Sequence, residues 1–336
     1  MRSSGFIVMF APCRHIRRCI GKRACNAVGD TPSGCQLEIP KSTVTSKLNK
    51  LLNKSGKLMS VNVDRAFVRL DEGLVHYRHA GTRADRDALP IYVAHAGPGS
   101  SAGYEPLIAV LGDSRFVIAP DTLGNGDSAA PAEDVPDIEY YADSVCRILD
   151  ALDIDQVDYF GSHTGAHIGC ELAILRPDRV RKMIFDGIGV FEDDFRQTLL
   201  ENYAPEMKPD EYGTQFTWAW HFLRDQMMHF PYFMRDPEHR MQNDMPPAEF
   251  LHIHVTDVLK ALTTYHKGYR AVFRHEVEAR LPMVKVPSMF MSSEADPLHK
   301  YLDDAASRVA GVEKRLVTKS EGLDGMASAI LTFFAS

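Results

Sequence analysis

Two short stretches of this chain set ionisable and hydrogen-bonding groups where a tight backbone turn displays them. In residues 157–166 an apolar run leads into Gly161-Ser162-His163-Thr164-Gly165 and then into a helical pattern. Glycines two before and two after a residue give a strand-to-helix turn the room it needs to push that residue out at its tip. The displayed side chain is therefore His163. Ser162 does not take that position, because its flanks are Phe160 and Thr164; it stands beside the tip as a candidate substrate contact or displaced nucleophile. An imidazole with its reference pKa of about 6.5 acts near neutral pH as a base or nucleophile with no second group to take its proton. In the second stretch, His95-Ala96-Gly97-Pro98-Gly99-Ser100 follows a buried strand pattern. Such a glycine-rich turn brings backbone N–H groups over the sheet, and the amides of Gly97 and Thr164 are the candidate oxyanion donors. His95 is a candidate substrate contact, or a brace between loops.

The positioning elements follow from periodicity. Short strands are predicted at 65–70 and 74–79, joined by Asp71-Glu72-Gly73 as a hairpin turn, with a further strand at 91–94. A helix at 104–111, a strand at 116–119 and the glycine-spaced loop 120–128 come next. Asp137 caps a helix whose apolar residues Ile138, Tyr141, Val145, Ile148, Leu149 and Leu152 share one face. Strand 157–160, helix 164–175 ended by Pro177, and strand 182–185 complete the run. Strands alternating with helices imply an α/β fold, a mostly parallel sheet with helices on both faces. After a helical stretch, strands return at 287–291 and 314–318, with a helix at 298–309 between them.

The chain resembles the α/β-hydrolase fold superfamily over residues 62–336. The resemblance rests on three landmarks in order: 95–99, similar to an HGGPG-type oxyanion loop with Ala96 for a glycine; Asp121 to Ser128, matching D-x-x-G-x-G-x-S; and the glycine-bracketed turn, where His163 replaces the usual serine, cysteine or aspartate. The resemblance implies a core of residues 59–189 and 286–336, with residues 190–285 as a helical cap inserted after the sixth strand. Within that cap Trp218, His221 and Arg224 are candidate substrate contacts. It also implies that Asp296 occupies the place of the triad acid, with Asp186 as the alternative, while the expected histidine after the last strand is absent. Together these imply hydrolysis of an ester, lactone or C–C bond of a small hydrophobic molecule, with His163 as base or nucleophile. The alternatives are a cofactorless lyase or oxygenase using His163 as base, and a relic that binds a ligand without turnover.

Composition narrows the partners. With 336 residues, 45% hydrophobic and 25% charged, the chain can bury a large core as an ordinary globular protein. Residues 1–58 hold eleven Lys/Arg against Asp30 and Glu38, so the remainder is more acidic than the net charge of -7 indicates. Such a body does not suit nucleic acid. The first 58 residues show no sustained periodicity and read as an extension, expected to be unfolded or to lie upstream of a natural start at Met59. Cys13, Cys19, Cys25 and Cys35 lie there without C-x2-C spacing, while Cys146 and Cys170 fall in helical patterns, so neither zinc nor a disulfide framework is expected. His252 and His254, two apart on a helix, face different ways and do not make a metal pair with Asp257. No nucleotide, flavin or metal motif and no membrane span occurs, so the expectation is a cytoplasmic protein acting on a small molecule without a cofactor, its oligomeric state open.

Overall fold

The computed structural model describes residues 61–83 and 88–336; the extension 1–58 and its four cysteines lie outside the described residues. The strands are β1 (Asp64–Leu70), β2 (Gly73–Ala80), β3 (Ile91–Ala94), β4 (Val117–Pro120), β5 (Val157–Ser162), β6 (Val180–Asp186), β7 (Ser288–Ser293) and β8 (Glu313–Val317). They form one sheet in the order β1-β2-β4-β3-β5-β6-β7-β8. The β1–β2 and β2–β4 pairs are antiparallel, and β3 to β8 run parallel. Strand β1 alternates toward its end in exposure, as a strand with one wet face must, whereas every residue of β3, β4 and β5 is buried.

The helices are α1 (Glu105–Gly112), α2 (Ile138–Ala151), α3 (Thr164–Leu175), α4 (Asp193–Asn202), α5 (Thr214–Gln226), α6 (Ala248–Lys260), α7 (Tyr265–Arg274), α8 (Val277–Arg280), α9 (Leu302–Ser307) and α10 (Gly322–Ala335). Asp137 begins α2 by accepting the Tyr140 N–H at 2.8 Å. Strand alternation sorts the core into two layers. Tyr92 and Tyr159 stack on one face, which α2 and α3 cover. Val93, Phe160 and Ile184 point to the other, where Leu107, Ile108 and Leu111 of α1 meet Ile330, Phe333 and Phe334 of α10. Local periodicity predicts no helix over the stretch that forms α10.

One helix differs from expectation. Residues 298–309 form a 3-10 turn at Pro297–Tyr301 and then the short α9, because the Asp296 carboxylate accepts the Leu298 N–H at 2.8 Å and starts a tight turn there. Between β6 and β7 lie helices α4 to α8, a 3-10 turn at Leu281–Met283 and irregular connections with one isolated antiparallel bridge, His229 to Arg240. No described helix is long and apolar enough to cross a membrane.

Candidate active site

His163 sits between β5 and α3 with φ 48° and ψ −107°. A non-glycine residue there carries strain of about 1–3 kcal/mol and persists only where its surroundings hold it. Here the Asp186 carbonyl accepts the His163 N–H at 2.9 Å, and the His163 carbonyl accepts the Ala166 N–H at the start of α3. The bracketing glycines have no room for a side chain. A Cβ at Gly161 would lie 2.6 Å from the Gly165 carbonyl carbon, and one at Gly165 would lie 2.8 Å from that of Ala94.

The side chain that meets the His163 ring is that of Asp296, Oδ2 to Nε2 at 2.7 Å. Burial disfavours a charged ring, but the Asp296 charge and hydrogen bond, with the Asp186 charge behind them, outweigh it and raise His163 to about 9. Burial raises the Asp296 carboxyl; the His163 charge, its hydrogen bond and the Leu298 N–H prevail and lower it. Both shifts favour the charged form of the pair, imidazolium with carboxylate. This differs from the free imidazole expected from sequence, because no sequence-based reference value includes an acid at 2.7 Å. Nδ1, the other ring nitrogen, has no partner among the described residues. Asp186 does not bond the ring. Its Oδ2 accepts from Ser162 Oγ at 2.8 Å, and burial together with the Asp296 charge raises its carboxyl to about 7.

Gly187 shapes this pair, and no spacing signal marked it in the sequence. At φ +63° it lies so close that a Cβ would be 2.6 Å from Asp296 Oδ2 and 2.7 Å from His163 Nε2. Gly187→Ala is expected to part the two side chains and bring His163 down from about 9 toward its ordinary value, read by NMR titration of the imidazole resonances. A histidine still titrating near 9 in that variant would show that Gly187 does not govern the pair.

The loop of residues 95–101 is held by buried polar bonds. His95 donates from Nδ1 to the Ala96 carbonyl at 3.0 Å and accepts the Thr122 N–H on Nε2 at 2.9 Å. Ser100 Oγ donates to Asp257 at 2.8 Å, while Asp121 accepts the Ser101 and Asp127 N–H groups. The Gly97 N–H is engaged by Thr164 Oγ1 at 3.2 Å, and the Gly97 carbonyl accepts from Tyr269 OH at 2.9 Å. The Thr164 N–H, first in α3, belongs to the amides that a helix leaves without intrahelical partners.

Above His163 lies a cavity of about 70 Å³, lined chiefly by Phe191, Tyr203, Phe230, Tyr269 and Phe273 together with His167. A second, on the other side of Gly97, is bordered by Tyr104, Leu223, Gln226, Met227, Phe250 and His254. None of Trp218, His221 and Arg224 lines either one. Trp218 stacks on Phe222, His221 is exposed, and Arg224 pairs with Asp225. The inward face of α5 carries Ala219, Phe222 and Leu223, so positions 221 and 224 lie off it. His95 and Ser162 are likewise taken up by internal bonds and line neither cavity. His254 and Asp257 do not belong to any group of potential metal ligands among the described residues. The larger surface grooves, such as that around Asp193 and Glu276, lie away from His163.

A family model described as alpha/beta hydrolase fold matches residues 90–304. Over 102 residues the chain is 39% identical to 2-hydroxymuconate semialdehyde hydrolase of Pseudomonas sp. (strain CF600), covering 30% of this chain and 36% of that protein. It is 34% identical over 133 residues to 2-hydroxy-6-oxononadienedioate/2-hydroxy-6-oxononatrienedioate hydrolase of Paraburkholderia xenovorans (strain LB400), covering 37% and 44%. The chain thus spans less than half the length of these curated relatives. Among solved structures, epoxide hydrolase A from Mycobacterium thermoresistibile superposes with a TM-score of 0.64 at 18% identity, covering 82% of this chain and 99% of that one. The enol-lactonase from Burkholderia xenovorans LB400 gives 0.59 at 20%, covering 81% and 100%.

Proposed function

The chain belongs to the alpha/beta hydrolase fold family, and from that premise we propose that it hydrolyses a bond beside a carbonyl group, in an ester, a lactone or a C–C bond, of a small hydrophobic substrate. The observation that carries this reading is the His163–Asp296 pair, 2.7 Å apart at the tip of a strained turn and beneath an apolar cavity. The aromatic walls suit a small apolar body. A semialdehyde, an oxo acid and a lactone, the compounds for which three similar proteins are named, all carry a carbonyl. The helices between β6 and β7 serve as the cap, since Phe230, Tyr269 and Phe273 come from that stretch.

In this reading Asp296 holds the Nε2 proton of His163 and leaves Nδ1 to the substrate. The protonated ring donates to the carbonyl oxygen as negative charge develops there, beside the Thr164 N–H. Gly97 adds a second amide once Thr164 turns its hydroxyl away. The role is that of an acid and charge stabiliser at neutral pH, since the pair is held in its charged form.

A pH–rate profile tests this assignment. The donor form exists below the folded-state value and is lost as pH rises, so kcat/KM for p-nitrophenyl acetate and a small lactone is expected to fall through about 9. A rate that instead rises through the same pH would make His163 the base and overturn the donor role.

A further inference from the structure

We propose that His167 is a second catalytic residue of this cavity, a general base whose Nε2 receives the proton of the attacking water and whose ring is oriented by a buried Glu171–His275 relay. It rests on hydrolysis at His163 as described above, and it supplies the base that a protonated His163 cannot be.

Placement comes first. His167 lies in the first turn of α3, four residues beyond His163, which sits in the non-helical turn before the helix. Its ring lines the same cavity although the residue is only 3% exposed. His167 Nδ1 lies 2.9 Å from His275 Nδ1, and His275 Nε2 lies 2.7 Å from Glu171 Oε1. Arg280 closes the far end, its Nε donating to Oε1 at 2.6 Å and its Nη2 to Oε2. Nε2 of His167 makes no hydrogen bond to any described residue, yet it is not among the buried atoms left without a partner. His167 is the member of this relay that lines the cavity.

Hydrogen-bond logic then selects the proton positions. An ionised carboxylate only accepts, so the His275 Nε2–H donates to Glu171. Arg280 already balances the Glu171 charge, so the relay needs no second cation. Nδ1 of a neutral His275 then accepts the Nδ1–H of His167, and Nε2 of His167 is left as a lone pair facing the substrate. Burial, the largest cause, holds His167 well below the ordinary histidine range, and the charge on His163 adds to it. The groups around it are Cys170 and Glu171 on its own helix, His163 before it, His275 beyond α7, and the Tyr203 and Tyr269 phenols across the cavity. Two histidines in one cavity with their proton affinities pushed apart form an acid–base pair.

The step balances without a co-reactant other than water. Water oxygen bonds to the carbonyl carbon as His167 Nε2 takes one of its protons, and the His163 Nδ1–H supports the oxyanion. The tetrahedral adduct then breaks its C–O or C–C bond, and the departing atom receives the proton from His167. Cys170, Glu171 and His275 also lie close enough together to suggest a metal site. Both Glu171 oxygens, however, are engaged by the Arg280 guanidinium, which a divalent cation would have to displace.

Two measurements test the proposal. In 15N NMR of the histidine rings at pH 7, the native protein is expected to show His167 neutral with the proton on Nδ1; an imidazolium or an Nε2–H form overturns the relay without any substrate. In kinetics on p-nitrophenyl acetate and a small lactone, His167→Gln is expected to lose about 10²-fold in kcat and to lose the acid limb of the pH profile. Glu171→Gln should retain more turnover but move that limb, as a positioning residue does. If His163→Ala is inactive while folded His167→Gln keeps both rate and acid limb, the base assignment fails and the His163 reading stands. If His163→Ala remains fully active, that earlier reading fails instead.

Discussion

Replacing His163 with alanine is expected to lower turnover of activated esters and lactones by about 10²- to 10⁴-fold, the range for losing a positioned proton-transfer group. Asp296→Asn is expected to cost less, because the ring remains while its charge partner and the preference for protonated His163 are lost. His163→Gly adds a test that separates function from folding. The backbone at 163, with φ 48°, is strained for any side chain and not for glycine. That variant should melt at or above the native temperature while being inactive, the signature of a residue kept for activity at the expense of stability. Thermal melts beside single-turnover rates provide the measurement. A His163→Ala protein that is folded and as active as the native one would remove His163 from the chemistry.

Gly165→Ala is expected to destabilise the protein by about 3 kcal/mol or more, through overpacking against main chain that has nowhere to move. The new methyl group would press on the carbonyl of Ala94, at the end of β3. That carbonyl cannot yield cheaply, because Ala94 is paired with Gly161 in the parallel β3–β5 ladder. The same contact places α3 directly against the sheet, so relief would tilt the helix carrying both His163's exit turn and His167. Urea unfolding measures the cost from the midpoint at unchanged slope. A loss under about 1 kcal/mol would mean that the turn accommodates a side chain and that the glycine spacing is not a steric requirement.

Much of the scaffold was legible because it follows from local rules. Helix α3 has the boundaries that its glycine turn and Pro177 announce, and Asp137 caps α2 as its side-chain chemistry requires. The hairpin of β1 and β2, the buried β3 and β5, and the placement of His163 at the tip of the turn all come from patterns within about ten residues of one another. Helix α10 went unread for a different reason. Its exposed polar face is thin, only Asp324, Ser328 and Thr332, and its start at Gly322 has no side-chain cap hydrogen bond, so packing against α1 is what identifies it.

The cavity walls were beyond such rules. Trp218, His221 and Arg224 are the conspicuous polar and aromatic residues of α5, yet the helix turns Leu223 and Gln226 inward, and Gln226 donates to the Tyr203 and Tyr269 hydroxyls. Which face a helix presents to a pocket depends on the neighbours against which it packs, and those come from distant parts of the chain.

What the sequence determined by itself is the family, the sheet that supports the site and the identity of the residue at its tip, because glycine spacing and apolar periodicity act through nearest-neighbour sterics. What only the tertiary structure decided is the chemical state of that residue and its company. Asp296 reaches His163 across 133 residues, and His275 reaches His167 across 108. Proton affinity depends on burial and on charges a few ångströms away, and those distances exist only once the chain has folded.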